Sequence, residues 1–230
     1  ALNVLYWVYV RPSVSVISFF YVWLFEFFTI GVAFEVAEVG GALLLKEKIL
    51  PRVDNLVTYP QTALLHVTCD DYDTVLIEAL YKQDYPLLDI FVLDDSHSDG
   101  LANRLSGLPV TVLRRGNRAG YKAGNLNNWL YKYGDNYKYF IVADADSVLP
   151  KHFVRSMVEF ADHPKNRHIA IFESLITNWN TQSKFANLQN IVKPLNHKIS
   201  LTLENRLGQT LSVGHNNLYR TDCLLAAGGF

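Results

Sequence analysis

Asp144 and Asp146 stand one residue apart at the end of an apolar run, Tyr139-Phe-Ile-Val-Ala. Side chains alternate across a strand, so two acids spaced this way leave its end toward the same side. Close carboxylates repel unless a cation lies between them, and a hard, oxygen-ligated ion such as Mg2+ or Mn2+ meets that need. The same residues also read as an acidic turn after a core strand, with Asp146 or Ser147 capping the next segment of chain. Spacing alone leaves both readings open.

Three more polar clusters each come after an apolar run. Asp70-Asp71 comes after Ala63–Thr68, Asp94-Asp95 after Leu88–Leu93, and the Arg114-to-Lys122 segment after Val110–Leu113. Between these runs, apolar residues recur at helical spacing: Val75, Leu76, Ala79 and Leu80, then Leu101 and Leu105, then Leu126, Trp129 and Leu130. Phe153, Met157 and Phe160 mark another helix after Pro150. Strand and helix alternating in this way predict an α/β, Rossmann-like, mostly parallel sheet with helices on both faces. In such sheets the ligand lies beyond the carboxyl ends of the strands. All four clusters fall there, and a purely structural loop has no need of so much uncompensated carboxylate.

The first 50 residues differ in character. Val14 to Phe34 is apolar with one charge, Glu26. As a helix it is ~31 Å long, enough to cross a bilayer core of ~30 Å. Glu26 is then expected to face a neighbouring helix or a polar lumen. Ala1 to Val10 and Arg11-Pro12 read as the tail of a preceding span and a turn. Lys46, Lys48 and Arg52 come after the long run, so the remainder is expected in the cytoplasm, anchored at an inner or plasma membrane. The expected organisation is 1–50 transmembrane and 51–230 a soluble domain. The chain starts without Met and stops at Gly228-Gly229-Phe230, so it is expected to be a fragment cut at both ends. The net charge of −1 offers no basic excess for nucleic acid. Cys69 and Cys223 lack metal-site spacing and read as two thiols in a reducing compartment, with one disulfide as the alternative.

Neither a P-loop nor a Gly-x-Gly-x-x-Gly fingerprint comes after the first strand. A phosphate ligand would be held by metal and side chains: Lys122, Arg114, Arg115 and Arg118 supply positive charge, while Asp94 and Asp95 accept from a base N–H or ribose hydroxyls. A nucleotide diphosphate with a metal at Asp144/Asp146 satisfies both signs. For Arg114 and Arg118 a solvated loop face is the competing reading.

Together, Asp94-Asp95-Ser-His-Ser-Asp99, Tyr121-Lys122-Ala-Gly-Asn-Leu-Asn127, Val142-Ala-Asp144-Ala-Asp146, Gly214-His-Asn-Asn217 with Arg220, and Gly228-Gly229-Phe230 resemble the inverting family 2 glycosyltransferases. The nearest likeness is the membrane-embedded, processive branch related to cellulose synthase and bacterial glucan synthases. The resemblance implies a GT-A-type fold and transfer from a nucleotide-diphosphate sugar, a UDP-sugar foremost, to a carbohydrate or lipid-linked acceptor. It implies nucleotide-sugar contacts at Thr68, Asp71, Asp94, Asp95, Lys122 and Asp144, a divalent metal on Asp144 and Asp146, and an acceptor side at His215 and Asn216. The family commonly has Asn-Glu where this chain has Asp70-Asp71. The general base is expected beyond Phe230, so the fragment is expected to be inactive alone. Two alternatives are a haloacid-dehalogenase-like phosphatase, whose strand also ends in Asp-x-Asp, and an inactive membrane-anchored nucleotide-binding scaffold. Phe185, Leu188, Val192 and Leu195 read as core or membrane-facing, and Trp179 as a packed aromatic or a sugar platform.

Overall fold

The structure is a computed structural model that describes residues 16–45, 48–98, 100–177, 183–208, 212 and 214–230. The expectations for Ala1 to Val10, Arg11-Pro12, Val14, Lys46, Asp99 and Trp179 lie outside the described residues. Two compact units are present. One combines the described parts of 1–48 and 195–209; the other combines 49–194 and 210–230.

The larger unit is a six-stranded sheet in the order β3-β2-β1-β4-β6-β5. Its strands are β1 (Thr62–Thr68), β2 (Leu88–Asp94), β3 (Thr111–Arg114), β4 (Tyr139–Asp144), β5 (Ile171–Glu173) and β6 (Asn217–Arg220). β1, β2, β3 and β4 run parallel, and β6 is antiparallel to both β4 and β5. Helices α2 (Thr74–Leu80), α3 (Leu101–Arg104) and α4 (Tyr121–Tyr133) make the crossovers between the parallel strands, and α5 (Phe153–Ala161) comes after β4. The chain winds from β1 to β2 to β3 and then returns to lay β4 on the other side of β1. The topological switch point therefore lies between β1 and β4, where Val67 is level with Asp144.

Residue alternation builds the two faces. Tyr139, Ile141 and Ala143 pack with Leu64 and with Val154, Met157, Val158 and Ala161 of α5. Phe140 and Val142 pack with Ala63, Leu65, Phe91 and Leu93, against Leu126, Trp129 and Leu130 of α4. The spacing of Phe153, Met157 and Phe160 locates α5, but its fully buried residues are Val154, Val158 and Ala161, with both phenylalanines at the margin of that core. β3 begins one residue later than the apolar run suggests, at Thr111.

In the smaller unit, α1 (Val16–Leu44) extends the predicted apolar helix by ten residues beyond Phe34, taking in Glu35 and Glu38. Its stretch Phe19–Leu44 is long and apolar enough to cross a membrane. Phe25, Ile30, Phe34 and Leu43 are all exposed. The last helix but one, α6 (Lys184–Leu207), contains Pro194 and contributes Leu195–Leu207 to this unit. There Ser200 donates to Glu38, and Leu203 Cδ1 would lie 3.3 Å from a Cβ placed on Gly41. Phe185, Leu188, Val192 and Leu195 are exposed, so the core alternative for that stripe does not hold. Cys69 and Cys223 are both free thiols.

Candidate active site

The carboxyl ends of β1, β2, β3 and β4 and the start of β6 converge on one mouth. β6 contributes because it is antiparallel: Val142 is level with Asn217, which brings Gly214–Asn216 beside the end of β4. Asn216 N–H donates to the Val142 carbonyl at 2.6 Å, and its φ of 55° turns the chain there.

Asp144 lies at the centre. Lys122, in the first turn of α4, donates to Asp144 Oδ1, and His215 Nδ1 lies 3.4 Å from Oδ2. The main-chain turn is tied by Ser147, whose N–H donates to the Asp144 carbonyl at 3.0 Å and whose hydroxyl accepts from Asp144 N–H at 3.2 Å. Asp144 is half-buried and Asp146 exposed. The turn and the metal readings are thus compatible: Ser147 closes the turn through the Asp144 main chain, while the Asp144 carboxylate meets Lys122 and His215.

Asp94 and Asp95 are 2% and 7% exposed, and each is paired with its own arginine. Arg114 Nη1 donates to Asp94 Oδ2 at 2.8 Å, and its Nη2 to the Ser96 carbonyl at 2.6 Å. Arg115 forks onto Asp95 at 2.8 and 2.6 Å and also donates to the carbonyls of Ala119 and Tyr121. Sequence reading treats the acids as ligand acceptors and the arginines as loop or phosphate groups. It misses that they neutralise each other, because nothing local reveals a pairing 20 residues apart. Gly124 belongs to this arrangement, since a Cβ there would lie 2.8 Å from Arg115 Nη1 and against the Ala119 carbonyl.

At the β1 end, the Thr68 hydroxyl donates to Asp71 Oδ1 at 2.8 Å, and Cys69 N–H donates to the same oxygen at 2.7 Å. Asp70 adopts φ 65° and takes the His97 side chain and its N–H on its carboxylate. Those hydrogen bonds, the side-chain one foremost, hold the Asp70 carboxyl below its ordinary range. Arg118 donates to His97 Nε2 at 2.9 Å and to Cys69 Sγ at 2.8 Å.

One buried group escapes sequence reading. His66, on the Leu64 side of β1 and level with Ala143 and Val92, is fully buried, with no hydrogen-bond partner on either ring nitrogen among the described residues. Burial pushes it down to about 4 against the attraction of Asp71, Asp144 and Asp146. A cavity of about 400 Å3 lies away from the mouth, at the opposite end of β4, lined by Lys138, Tyr139 and Arg220 among others. Arg220 there is spent on the carbonyls of Ile169 and Asn166 and the Tyr139 hydroxyl, a structural role.

On the flank of α4, Asn127 Oδ1 accepts from Phe230 N–H at 2.9 Å, and the Tyr131 hydroxyl donates to the Gly228 carbonyl at 2.6 Å, while the Phe230 ring packs edge-on against Phe140 and Tyr219. Gly229 has φ 91°, and a Cβ on it would meet the Tyr131 hydroxyl at 2.7 Å. One helix thus holds Lys122 against Asp144 at its start and the Gly-Gly-Phe segment two turns further on.

An open, mostly parallel α/β sheet with a polar mouth at its switch point defines a Rossmann-like domain. The model of the family described as Glycosyl transferase family 2 matches residues 74–224, and the chain belongs to that family. Similar curated proteins are named Glucans biosynthesis glucosyltransferase H. That of Xanthomonas campestris pv. campestris is 34% identical over 77 residues, covering 33% of this chain and 12% of the relative. That of Xylella fastidiosa is 29% identical over 113 residues, covering 44% of this chain and 17% of the relative. The match thus spans only a small part of these relatives' length. A solved mannosyltransferase from Pyrobaculum calidifontis, in complex with GDP-Man and Mn2+, shares the fold with TM-score 0.59 and 19% identity, covering 88% of this chain and 58% of that one. With the family match running from the start of α2 through β6, the phosphatase alternative is not favoured.

Proposed function

We propose that this chain is the donor-binding part of a membrane-anchored glycosyltransferase that moves a sugar from a nucleotide diphosphate to a saccharide acceptor with inversion. The observation that carries the reading is Asp144, held at the β1/β4 switch point between Lys122 and His215. Asp144 and Asp146 offer oxygen ligands only, which fits Mg2+ or Mn2+, ions that complete their shell with water and substrate phosphate oxygens. When bound, such an ion neutralises the charge growing on the leaving diphosphate. Lys122 is the second positive group on that side and can turn from Asp144 to a phosphate oxygen. Thr68 and Asp71, fixed to each other, and the Asp94 and Asp95 ends border the nucleoside. Their arginine partners leave each acid one rigid orientation, which suits recognition of a ribose or base edge. His215 and Asn216 face the acceptor side. The general base is assigned to none of these side chains.

The names of the similar proteins support a glucose-type donor and a glucan acceptor, α1 supports anchoring in a membrane, and the basic residues Lys46, Lys48 and Arg52 after the apolar run support the cytoplasmic side for the sheet. The test is incorporation of labelled glucose from UDP-glucose by membranes carrying the complete protein. The expected result is polymer formation that requires Mg2+ or Mn2+; transfer at full rate in the presence of a chelator contradicts the metal assignment.

A further inference from the structure

A second group of ligating atoms lies beside the mouth and has no part in the proposed transfer. Cys69, Asp70 and His97 come from the ends of β1 and β2, and their ligand atoms lie within 4.8 Å of one another. Thiol, imidazole and carboxylate together form a mixed sulfur, nitrogen and oxygen set, unlike the all-oxygen pair Asp144/Asp146. Such a set selects Zn2+ and related borderline ions over Mg2+.

The backbone around the three is fixed in place. Asp70 N–H donates to the Ser96 hydroxyl at 2.9 Å, its φ of 65° swings the carboxylate toward His97, and His97 N–H donates back to it at 2.9 Å. Asp95 N–H donates to the Thr68 carbonyl at 3.0 Å, so the two loops are joined where the ligands leave them. Asp70 and His97 are exposed and Cys69 half-buried, which leaves an entry path. A cation already lies against two of the donors: the Arg118 guanidinium reaches His97 Nε2 and Cys69 Sγ at 2.9 and 2.8 Å.

We infer that Cys69, Asp70 and His97 form a three-ligand site for a zinc-class ion, with water as fourth ligand and with Arg118 as the group the ion displaces. On binding, the Cys69 S–H bond is broken, its proton passes to buffer, and the sulfur bonds the metal. Arg118 must move away because its charge repels the ion. Because Thr68–Asp71 borders the proposed nucleoside position, an ion here weakens nucleotide binding; that consequence rests on the proposed glycosyltransferase function, whereas metal binding does not.

The experiment uses the whole chain in detergent, freed of metal and titrated with Co2+ and then Zn2+ without nucleotide. The expected result is a sulfur-to-cobalt absorption band that saturates at one equivalent and is lost when Zn2+ displaces Co2+. Cys69→Ser abolishes the band, and His97→Ala weakens Zn2+ binding at least tenfold. Arg118→Gln tightens it about tenfold, since a unit charge near a divalent ion is removed. Asp144→Asn leaves the sulfur-to-cobalt band and its displacement by Zn2+ unchanged. Absence of the band, or Zn2+ affinity that survives both Cys69→Ser and His97→Ala, overturns the site. Failure of nucleotide to bind the zinc-free chain in the presence of Mn2+, with the cobalt band intact, would instead count against the proposed function alone.

Discussion

Arg114 and Arg115 are adjacent in sequence and take Asp94 and Asp95 in the same order, so two buried acids are neutralised by two neighbouring guanidinia. The Arg115–Asp95 pair is the more enclosed, with both side chains below one-tenth exposed. Removing one partner of such a pair leaves a buried charge uncompensated. Arg115→Ala is therefore expected to cost about 3–5 kcal/mol, read from urea unfolding, with Arg115→Lys recovering only part because the fork is lost. His66 makes a different prediction. Its native value of about 4 lies below the ordinary 6.5, so between those values the unfolded chain binds a proton that the native chain refuses. Stability then rises with pH across that window and falls as pH drops through it, by up to about 1.4 kcal/mol per unit. Unfolding midpoints at pH 7 and pH 5 measure this, and a His66→Leu chain should show a shallower slope. At this scale the sequence is partly legible: acids at strand ends are visible, because an apolar run ending in Asp marks them. The arginine pairing, the buried His66 and the Cys69–His97 group are not, because each depends on which strands become neighbours.

Among the elements, α4 joins the most parts of the site. Its first turn supplies Lys122, its buried side supplies Leu126, Trp129 and Leu130 to the core, and Asn127 and Tyr131 hold Gly228–Phe230. Its entry depends on a close approach at Gly124. Gly124→Ala, whose Cβ would clash with the Ala119 carbonyl oxygen, is expected to displace that loop and Arg115 and to lower both stability and donor affinity, checked by thermal unfolding beside nucleotide titration. The four parallel strands and their crossover helices can be read from the sequence because alternation between apolar runs and helical spacing is a local signal. β5 and β6 cannot: they have three and four residues, and their antiparallel pairing with β4 and with each other is decided by contacts across the sheet. His215 and Asn216 consequently rest on the family resemblance, not on any local pattern.

For the whole molecule, two kinds of chain are joined: an apolar helix with its large side chains exposed, and a sheet whose core is closed on both faces. Exposed phenylalanines along α1 are stable in lipid and unstable in water. The chain is expected to stay with membranes through alkaline extraction and to leave them in detergent; release by alkali would contradict the anchoring role of α1. The apolar run makes that helix visible in advance, although its extension past Glu35 and Glu38 runs beyond the stretch the composition marks. The account as a whole depends on a divalent ion shared between Asp144 and a nucleotide diphosphate. The most direct measurement is calorimetric titration of UDP into the chain, with and without Mn2+, for the parent and for Asp144→Asn. The account predicts that Mn2+ tightens binding on the order of 100-fold in the parent and leaves the variant unchanged. Equal tightening in both, or none in the parent, would contradict it.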